Sequence, residues 1–330
     1  MMNKLTNPSN LGHESIPIQG ACFGIGIDLG GTHLRAGLID FSGNIRAENS
    51  ILSPHTTVEA FEKALQKVIV ELEEVTGIDD KDVTHVVIGV PGVVEPKTGM
   101  ISLCPNLPYL NGVSLKKNLE KLLKRTIIVE NDVNIAAIGE QEISGCEDFV
   151  FIALGTGLGM AIFRKGEINR GSSGNAGEIG SIRNYLVTEI SNNDDKILEE
   201  IVSGAALEAK YQLVVGVAKN SESIFEMAEN KDSVAVKLIS EMADVLARII
   251  QNLIYILDPS KIILGGGIGS RETFMDYLAK SEFIENRFRE SIHISSLGSR
   301  AGLVGALAQS LRLMRENILL DISNREDTNG

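Results

Sequence analysis

The spacing of apolar positions predicts a chain in which short strands alternate with helices. Between Phe23 and Asp40, two apolar runs flank a pair of glycines, a pattern typical of two strands joined by a tight turn. Over residues 57–75, apolar side chains recur every three or four positions with charged side chains between them, which predicts an amphipathic helix. The first 22 residues are polar and predict a mobile lead-in.

The rest of the chain continues this alternation. Apolar runs predict buried strands at residues 83–90, 126–130 and 261–264. Amphipathic runs predict helices at residues 114–124, 133–142, 204–213, 224–229, 232–257, 271–280 and 303–315. Strands separated by helices predict an α/β fold whose sheet is parallel in part.

A segment that begins at residue 149 repeats the pattern of the first strand pair. Aligning Leu154 with Leu29 places Ala161 on Ala36. Glycine and apolar residues recur by chance, so this similarity alone is weak evidence of a duplication. It falls, however, where a second lobe is expected to begin.

Length and charge narrow the class of protein. The 330 residues are about twice a common domain length, which predicts two lobes. A formal charge of -13 opposes binding to nucleic acid or to an anionic membrane, and no apolar run reaches the roughly 20 residues of a membrane span. The 3 cysteines lack the spacing of metal ligands, which favours a reducing cytoplasm.

Glycine-rich turns follow three of the predicted strands, at residues 28–32, 154–159 and 265–269. Glycine lets backbone amides approach a phosphate, a threonine adds a donor, and an aspartate can hold Mg²⁺. No turn contains a complete GxxxxGK[ST] or GxGxxG motif, so P-loop and dinucleotide folds are disfavoured. Together the turns predict a nucleotide site, although each alone is compatible with a plain hairpin or helix-entry turn.

A second cluster, Glu130-Asn131-Asp132, lies at the end of an apolar strand and at the start of a predicted helix. A carboxylate there commonly caps the helix, which contributes about 1 kcal/mol. On spacing alone, capping is the favoured role of Asp132 over catalysis. Other polar side chains near the glycine turns suit hydrogen bonds to sugar hydroxyls, namely Asn106, Glu178 and Glu199.

Several segments resemble one family in its motif order: IGIDLGGTHLRAGLID, GVPGVVEPKTGMI, PNLPYLNGVSL, ENDVNIAAIGE, LGTGLGMAI, GNAGEIGSI, LEEIVSGAAL, DPSKIILGGGIG and AGLVGALA. They resemble the ROK family of bacterial glucokinases, related sugar kinases and sugar-responsive repressors, from Phe23 to about residue 315. The resemblance implies a two-lobed sugar kinase/actin/Hsp70-like α/β fold, with duplicated ribonuclease H-like lobes around a cleft, in a homodimer.

In this interpretation residues 1–22 are the lead-in, 23–132 form the N-terminal lobe and 133–315 the larger C-terminal lobe. The last helix, about 303–315, is a candidate for packing back on the first lobe, and 316–330 form a tail.

The resemblance also assigns roles. It makes Asp132 the general base and Asp28 the protein ligand of Mg²⁺ bound with ATP. The implied sugar ligands are Asn106, Asn131, Glu178 and Glu199. The implied nucleotide-binding residues are Asp28, Gly30, Gly31, Thr32, Thr156, Gly157, Gly265, Gly266 and Gly267.

The chain departs from the family where most members carry a zinc site. Ser181 stands where the family has a histidine that binds zinc and sugar, and the cysteines that follow are absent. We therefore expect no zinc and a differently built wall of the sugar site. Tyr185, Asp194 and Asp195 lie in the replacement segment.

These observations predict a cytoplasmic, ATP-dependent hexose kinase that phosphorylates a primary hydroxyl, O6 of glucose or a close relative. ATP is expected to be a better donor than polyphosphate. An N-acetylglucosamine or N-acetylmannosamine kinase is the alternative enzyme, and a sugar sensor that has lost catalysis is the alternative of another class. A DNA-binding repressor is disfavoured, because only 22 residues precede Phe23 and the charge is negative.

Overall fold

The computed structural model describes residues 22–30, 33–54, 56–183 and 196–328, with side chains described as far as residue 317. These residues form two compact units. The second unit consists of Cys146–Asn169 and Ala176–Ser299. The first holds the remaining described residues, including the short segment Arg170–Asn175 and the chain from Arg300 onward.

The first unit is built on one mixed sheet. Its strands are β1 (Phe23–Leu29), β2 (His33–Asp40), β3 (Ile45–Leu52), β4 (Val83–Val90), β5 (Val93–Val94), β6 (Ile101–Ser102) and β7 (Thr126–Asn131). The sheet has the order β3-β2-β1-β4-β7, and β5 pairs with β6 separately. Strands β1, β4 and β7 are parallel, whereas β1, β2 and β3 are antiparallel neighbours.

Two helices of this unit show clear local signals for their ends. The helices are α1 (Val58–Thr76), α2 (Leu115–Leu123), α3 (Asp132–Ser144) and α9 (Ala301–Thr328). Thr57 accepts a hydrogen bond from Ala60 N to cap α1, and Gly77 ends it at φ 68°. Helix α3 ends in the same way at Gly145, with φ 64°.

Helix α9 lies directly on strand β1. A Cβ on Gly26 would be 2.5 Å from the backbone nitrogen of Leu307, and one on Gly24 would meet Ser310. The two glycines therefore let the helix backbone approach the strand, while Ile25 and Ile27 enter the core on the opposite face. This packing explains the alternating glycines of FGIGID.

The structure differs from the predicted division of the chain at two places. The first unit extends to Gly145 rather than ending at Asp132, because α3 packs against α9 in that unit. Helix α9 runs to Thr328, so residues 316–328 continue a helix where a tail was expected.

The second unit repeats the sheet arrangement of the first. Its strands are β8 (Phe149–Leu154), β9 (Leu158–Arg164), β10 (Glu167–Ile168), β11 (Ile262–Gly265) and β12 (Ile292–Ile294), and its helices are α4 (Gly204–Val215), α5 (Ser221–Glu229), α6 (Ser233–Leu257), α7 (Gly266–Gly269) and α8 (Glu272–Lys280). The order β10-β9-β8-β11-β12 again joins an antiparallel meander to parallel strands. Helix α6 buries a continuous apolar face in the core of this unit.

The repeated order supports the predicted duplication and corrects its register. Leu29 pairs with Leu34 across the first turn, whereas Leu154 pairs with Leu158 across a turn one residue shorter. The sequence alignment that places Ala161 on Ala36 is therefore wrong by one position in the returning strand. Among the described residues, no helix is long and apolar enough to cross a membrane.

Candidate active site

The carboxyl ends of three parallel strands bring polar residues to one edge of the first sheet. Asp28 on β1 is in register with Gly89 on β4, which is in register with Glu130 on β7. The Asn131-Asp132 junction follows at the same edge, where β7 passes directly into α3. Ligand sites of open α/β sheets lie at this edge.

Asp28 is almost fully buried, at 9% exposure. Burial raises the pKa of its carboxyl, and the nearby Arg35 guanidinium partly opposes that rise. Arg35 Nη1 lies 3.6 Å from Asp28 Oδ2. A Cβ on Gly302 would collide with the Asp28 carboxylate, so a glycine in the first turn of α9 makes room for it. The sequence motif AGLVGALA therefore belongs to the surroundings of Asp28.

The cap of helix α3 is Asn131, not Asp132. Asn131 Oδ1 accepts a hydrogen bond of 3.0 Å from Asn134 N, and its Nδ2 donates one of 3.0 Å to Gly92 O. Asp132 occupies the first helical position, and its Oδ1 accepts from Val133 N at 2.9 Å. The capping role that spacing favoured for Asp132 is thus wrong, and its carboxylate lies at the positive end of the helix dipole.

Glu130 anchors this junction from inside the unit. Its side chain is buried, and its Oε1 accepts hydrogen bonds from Asn131 N and Asn134 Nδ2, both at 2.9 Å. Its Oε2 forms an ion pair of 2.5 Å with Arg170 Nε. Arg170 begins the short segment that belongs to the first unit although its neighbours along the chain lie in the second.

Asn106 is exposed on the loop that follows β6. Asn111 supports this loop, since its Oδ1 accepts from Cys104 N at 3.0 Å. Cys104 is buried close enough to Asp132 to feel its charge: burial first, and Asp132 to a lesser degree, raise the pKa of the thiol to about 11. The loop that carries Asn106 is thus near Asp132. Gly31 and Thr32, predicted to bind phosphate, lie outside the described residues.

In the second unit, the turn between β8 and β9 is closed by a hydrogen bond of 3.0 Å from Gly155 N to Gly157 O. The first turn of α4 donates to this turn as well, from Gly204 N to Gly155 O at 2.7 Å and from Ala205 N to Thr156 O at 3.3 Å. Three backbone hydrogen bonds thus hold the turn, and Thr156 is exposed at its tip.

The third glycine segment lies beside this turn. Gly265 ends β11 in register with Ala153 on β8, and a Cβ on Gly155 would be 3.5 Å from Gly267 N. Gly266 has φ 82°, and a Cβ there would collide with the backbone of Leu154, whereas Gly267 is exposed with no atom within 4 Å of its Cβ position. The structure therefore brings two of the predicted phosphate and adenosine loops together.

Two predicted sugar ligands also lie together in this unit. Burial, and secondarily the charge of Glu199, raise the pKa of the Glu178 carboxyl. Glu199 is on the short 3₁₀ turn Leu198–Glu200, and its Oε2 accepts a hydrogen bond of 2.9 Å from Leu158 N. Glu199 thus contacts the glycine turn and lies close enough to Glu178 to influence its pKa.

The sequence model that describes the ROK family matches residues 24–312 of this chain. The chain belongs to the ROK family. The β-glucoside kinase of Listeria monocytogenes is 30% identical over 295 residues, covering 86% of this chain and 96% of that protein. The glucokinase of Thermotoga maritima is 28% identical over 310 residues, covering 86% and 95%. A solved ROK family glucokinase from Streptomyces griseus, in complex with glucose and AMPPNP, is 29% identical with a TM-score of 0.67, covering 89% of this chain and 100% of that one.

Membership of the ROK family shows the class of fold, and the similarity to named sugar kinases shows the class of reaction. The predicted two-lobed α/β sugar kinase fold is confirmed, as is the prediction of an enzyme that transfers a phosphoryl group to a sugar hydroxyl. Family membership alone identifies neither the sugar nor the catalytic base.

The predicted departure from the ROK zinc motif falls partly inside the described chain. Ser181 is exposed at the end of a short 3₁₀ turn, Ile179–Ser181. Within residues 22–30, 33–54, 56–183 and 196–328, no group of three or more His, Cys, Asp or Glu could hold a metal ion. Tyr185, Asp194 and Asp195 lie outside the described residues.

Sequence reasoning missed three residues that shape this ROK site: Arg35, Arg170 and Gly302. Arg35 is opposite Asp28 in the strand pair, so strand register contains the signal. Gly302 is part of the AGLVGALA motif, but it makes room for Asp28 only because helix α9 packs near a strand that is distant in sequence. Arg170 has no local signal, because its partner Glu130 is 40 positions away.

Proposed function

We propose that this ROK kinase transfers the γ-phosphoryl group of ATP to a primary hydroxyl of a hexose, O6 of glucose or a close relative, with Asp132 as general base. The observation that carries the proposal is the β7–α3 junction. Helix capping does not account for Asp132, since Asn131 supplies the cap. A carboxylate that starts a helix at the ligand-binding edge of the sheet suits the acceptance of a proton from an attacking hydroxyl.

Two features support ATP as the donor. In the second unit, the turn at Gly155 and the exposed residue Gly267 lie side by side, and a side chain at Gly267 would fill open space. A backbone amide in such a position suits a phosphate oxygen, and the hydroxyl of the exposed residue Thr156 adds a donor. The solved Streptomyces griseus relative contains AMPPNP.

Asp28 fits the role of a protein ligand to nucleotide-bound Mg²⁺. Such Mg²⁺ is commonly held by one or two carboxylates together with substrate phosphates, so a single carboxylate beside a glycine turn is sufficient. When bound, Mg²⁺ would neutralise charge on the phosphate oxygens. Arg35 would help to keep Asp28 ionised despite its burial.

The sugar would be oriented by Asn106, Asn131, Glu178 and Glu199. Asn131 already uses Oδ1 and Nδ2 inside the first unit, but each atom of its amide can form a second hydrogen bond. Asn131 would therefore hold both the helix and the sugar. Correct orientation brings the attacking oxygen in line with the γ-phosphorus.

Substitution of Asp132 by Asn tests the proposed base. The variant keeps the side-chain volume and leaves the cap at Asn131 intact, so we expect folding and ATP binding to persist. Turnover should fall by at least about a hundredfold, the usual contribution of general-base catalysis. Steady-state kinetics with saturating ATP and sugar measures the change.

Asn131→Ala is the matched control. It removes the cap and the bond to Gly92, so it should lower the free energy of unfolding by about 1–2 kcal/mol, an effect that Asp132→Asn should lack. Near-normal turnover of a well-folded Asp132→Asn protein would show that Asp132 is not the base.

The alternatives to this proposal differ in the sugar that the protein would bind. The relatives include a β-glucoside kinase and a glucokinase, and also N-acetyl-D-glucosamine kinases. An aminosugar such as N-acetylglucosamine or N-acetylmannosamine is therefore the alternative substrate. A sensor that has lost catalysis would bind sugar without forming ADP. We propose glucose or a β-glucoside as the first compounds to assay, in a cytoplasmic homodimer.

A further inference from the structure

Glu199 occupies an unusual position for a residue whose proposed role is to bind sugar. Its Oε2 accepts the backbone N–H of Leu158 at 2.9 Å, immediately after the turn Gly155-Thr156-Gly157. A Cβ on Gly157 would lie 2.5 Å from the same oxygen. The carboxylate is therefore packed against the turn that is proposed to hold phosphate.

Glu199 also lies close to another proposed sugar ligand, Glu178. A Cβ on Gly180 would be 3.4 Å from Glu199 Cβ, and Glu199 acts on the titration of Glu178. A carboxylate has about four acceptor positions, so the bond to Leu158 N leaves Oε1 able to accept from a sugar hydroxyl. One side chain thus contacts the phosphate turn with one oxygen and can serve the sugar with the other.

We propose that Glu199 is a positioning residue that couples sugar binding to nucleotide binding. The inference rests on the proposed kinase function. A sugar hydroxyl on Oε1 would fix the rotamer of Glu199 and thereby strengthen its hold on the Gly157-Leu158 peptide. Bound sugar then pre-organises the phosphate turn for ATP, and by linkage bound nucleotide increases the affinity for sugar by the same factor.

Two substitutions at one position separate the two contacts. In Glu199→Gln, the amide oxygen can still accept from Leu158 N, but the negative charge is lost. This variant should keep the KM for ATP within about twofold of wild type while the KM for sugar rises about tenfold, the loss of about 1.4 kcal/mol. In Glu199→Ala both contacts are lost, so the KM values for ATP and for sugar should both rise at least about tenfold.

Glu199→Asp provides a second measurement in case the alanine variant does not fold. It keeps the charge but is one methylene shorter, so the bond to Leu158 N is lost and the KM for ATP should rise as in Glu199→Ala. Glu178→Gln is the matched control, because Glu178 has no described bond to the turn; it should change the KM for sugar alone.

Titration calorimetry with a non-hydrolysable ATP analogue measures the coupling directly. Wild type should bind the analogue more tightly when sugar is saturating, and Glu199→Ala and Glu199→Asp should bind it equally with or without sugar. An unchanged sugar effect in the folded variants, or an equal rise in the KM for ATP in Glu199→Gln and Glu199→Ala, would overturn the inference. Wild-type protein that forms no ADP with any sugar would instead overturn the proposed function, before any variant is made.

Discussion

Two adjacent glycines of the third glycine segment should respond oppositely to alanine. Gly266 has φ 82°, a left-handed conformation that costs an L-residue about 1–2 kcal/mol. Its Cβ would collide with the carbonyl oxygen of Leu154 and lie 2.7 Å from the carbonyl carbon. These are backbone atoms that cannot rotate away, so overpacking adds about 1–3 kcal/mol.

Gly266→Ala should therefore lower the free energy of unfolding by about 2–5 kcal/mol, the sum of the two costs. This is a large part of a typical total stability of about 5–15 kcal/mol. Gly267→Ala has no atom within 4 Å of its Cβ and lies in the short helix α7. It should leave stability unchanged or raise it by about 0.4–1 kcal/mol.

The two variants should also differ in catalysis. If the amide of Gly267 contacts a phosphate, a methyl group there should raise the KM for ATP at least about tenfold, the loss of one bond to a charged group. The KM for sugar should change little. Urea unfolding and steady-state kinetics on both variants test this. Equal stabilities would refute the packing argument for Gly266, and a Gly267→Ala enzyme with a normal KM for ATP would refute the assignment of this loop to ATP.

Three further predictions concern other parts of the site. Arg170→Gln should lower the free energy of unfolding by about 1–3 kcal/mol, because it leaves the carboxylate of Glu130 buried without its ion pair. Turnover should fall as well, and Arg170→Lys should restore part of both losses. Urea unfolding and steady-state kinetics measure the two effects. Glu178→Gln should raise the melting temperature at pH 7. The pKa of Glu178 is raised in the folded protein, so its stabilising protonated form is lost as the pH rises through the folded-state pKa. Melting curves at several pH values should show that the difference from wild type vanishes below the unfolded-state pKa, near 4.5. Gly302→Ala should displace the Asp28 carboxylate and raise the Mg²⁺ concentration needed for half-maximal rate, whereas an unchanged requirement would exclude Asp28 as the Mg²⁺ ligand.

Local patterns were enough to predict most elements of the fold. Strand β4 begins and ends at the predicted residues, and α1 is displaced by a single position at each end. These elements have strong periodicity and clear caps. Strand β3 was missed, because its residues alternate between half-buried and exposed positions at the sheet edge and none of them is fully buried.

The sequence predicted less of the site than of the fold. The choice between Asn131 and Asp132 as helix cap depends on where β7 ends, which is one residue later than the apolar run indicates. The role of Glu199 at the glycine turn depends on a contact across 41 positions, which no local pattern records. The division of the chain near Asp132 failed for a similar reason, since α3 finds its partner in the distant helix α9.

The central claim is that the protein transfers a phosphoryl group from ATP to a primary hydroxyl of a hexose. The direct measurement is ADP formation by the full-length protein with Mg²⁺ and ATP across glucose, a β-glucoside, N-acetylglucosamine and N-acetylmannosamine, with phosphorus NMR of the sugar product. Our account predicts ADP only when a suitable sugar is present, in equal amount to a sugar phosphorylated at O6. ADP formed at the same rate without sugar, or a phosphate on the anomeric oxygen, would contradict it.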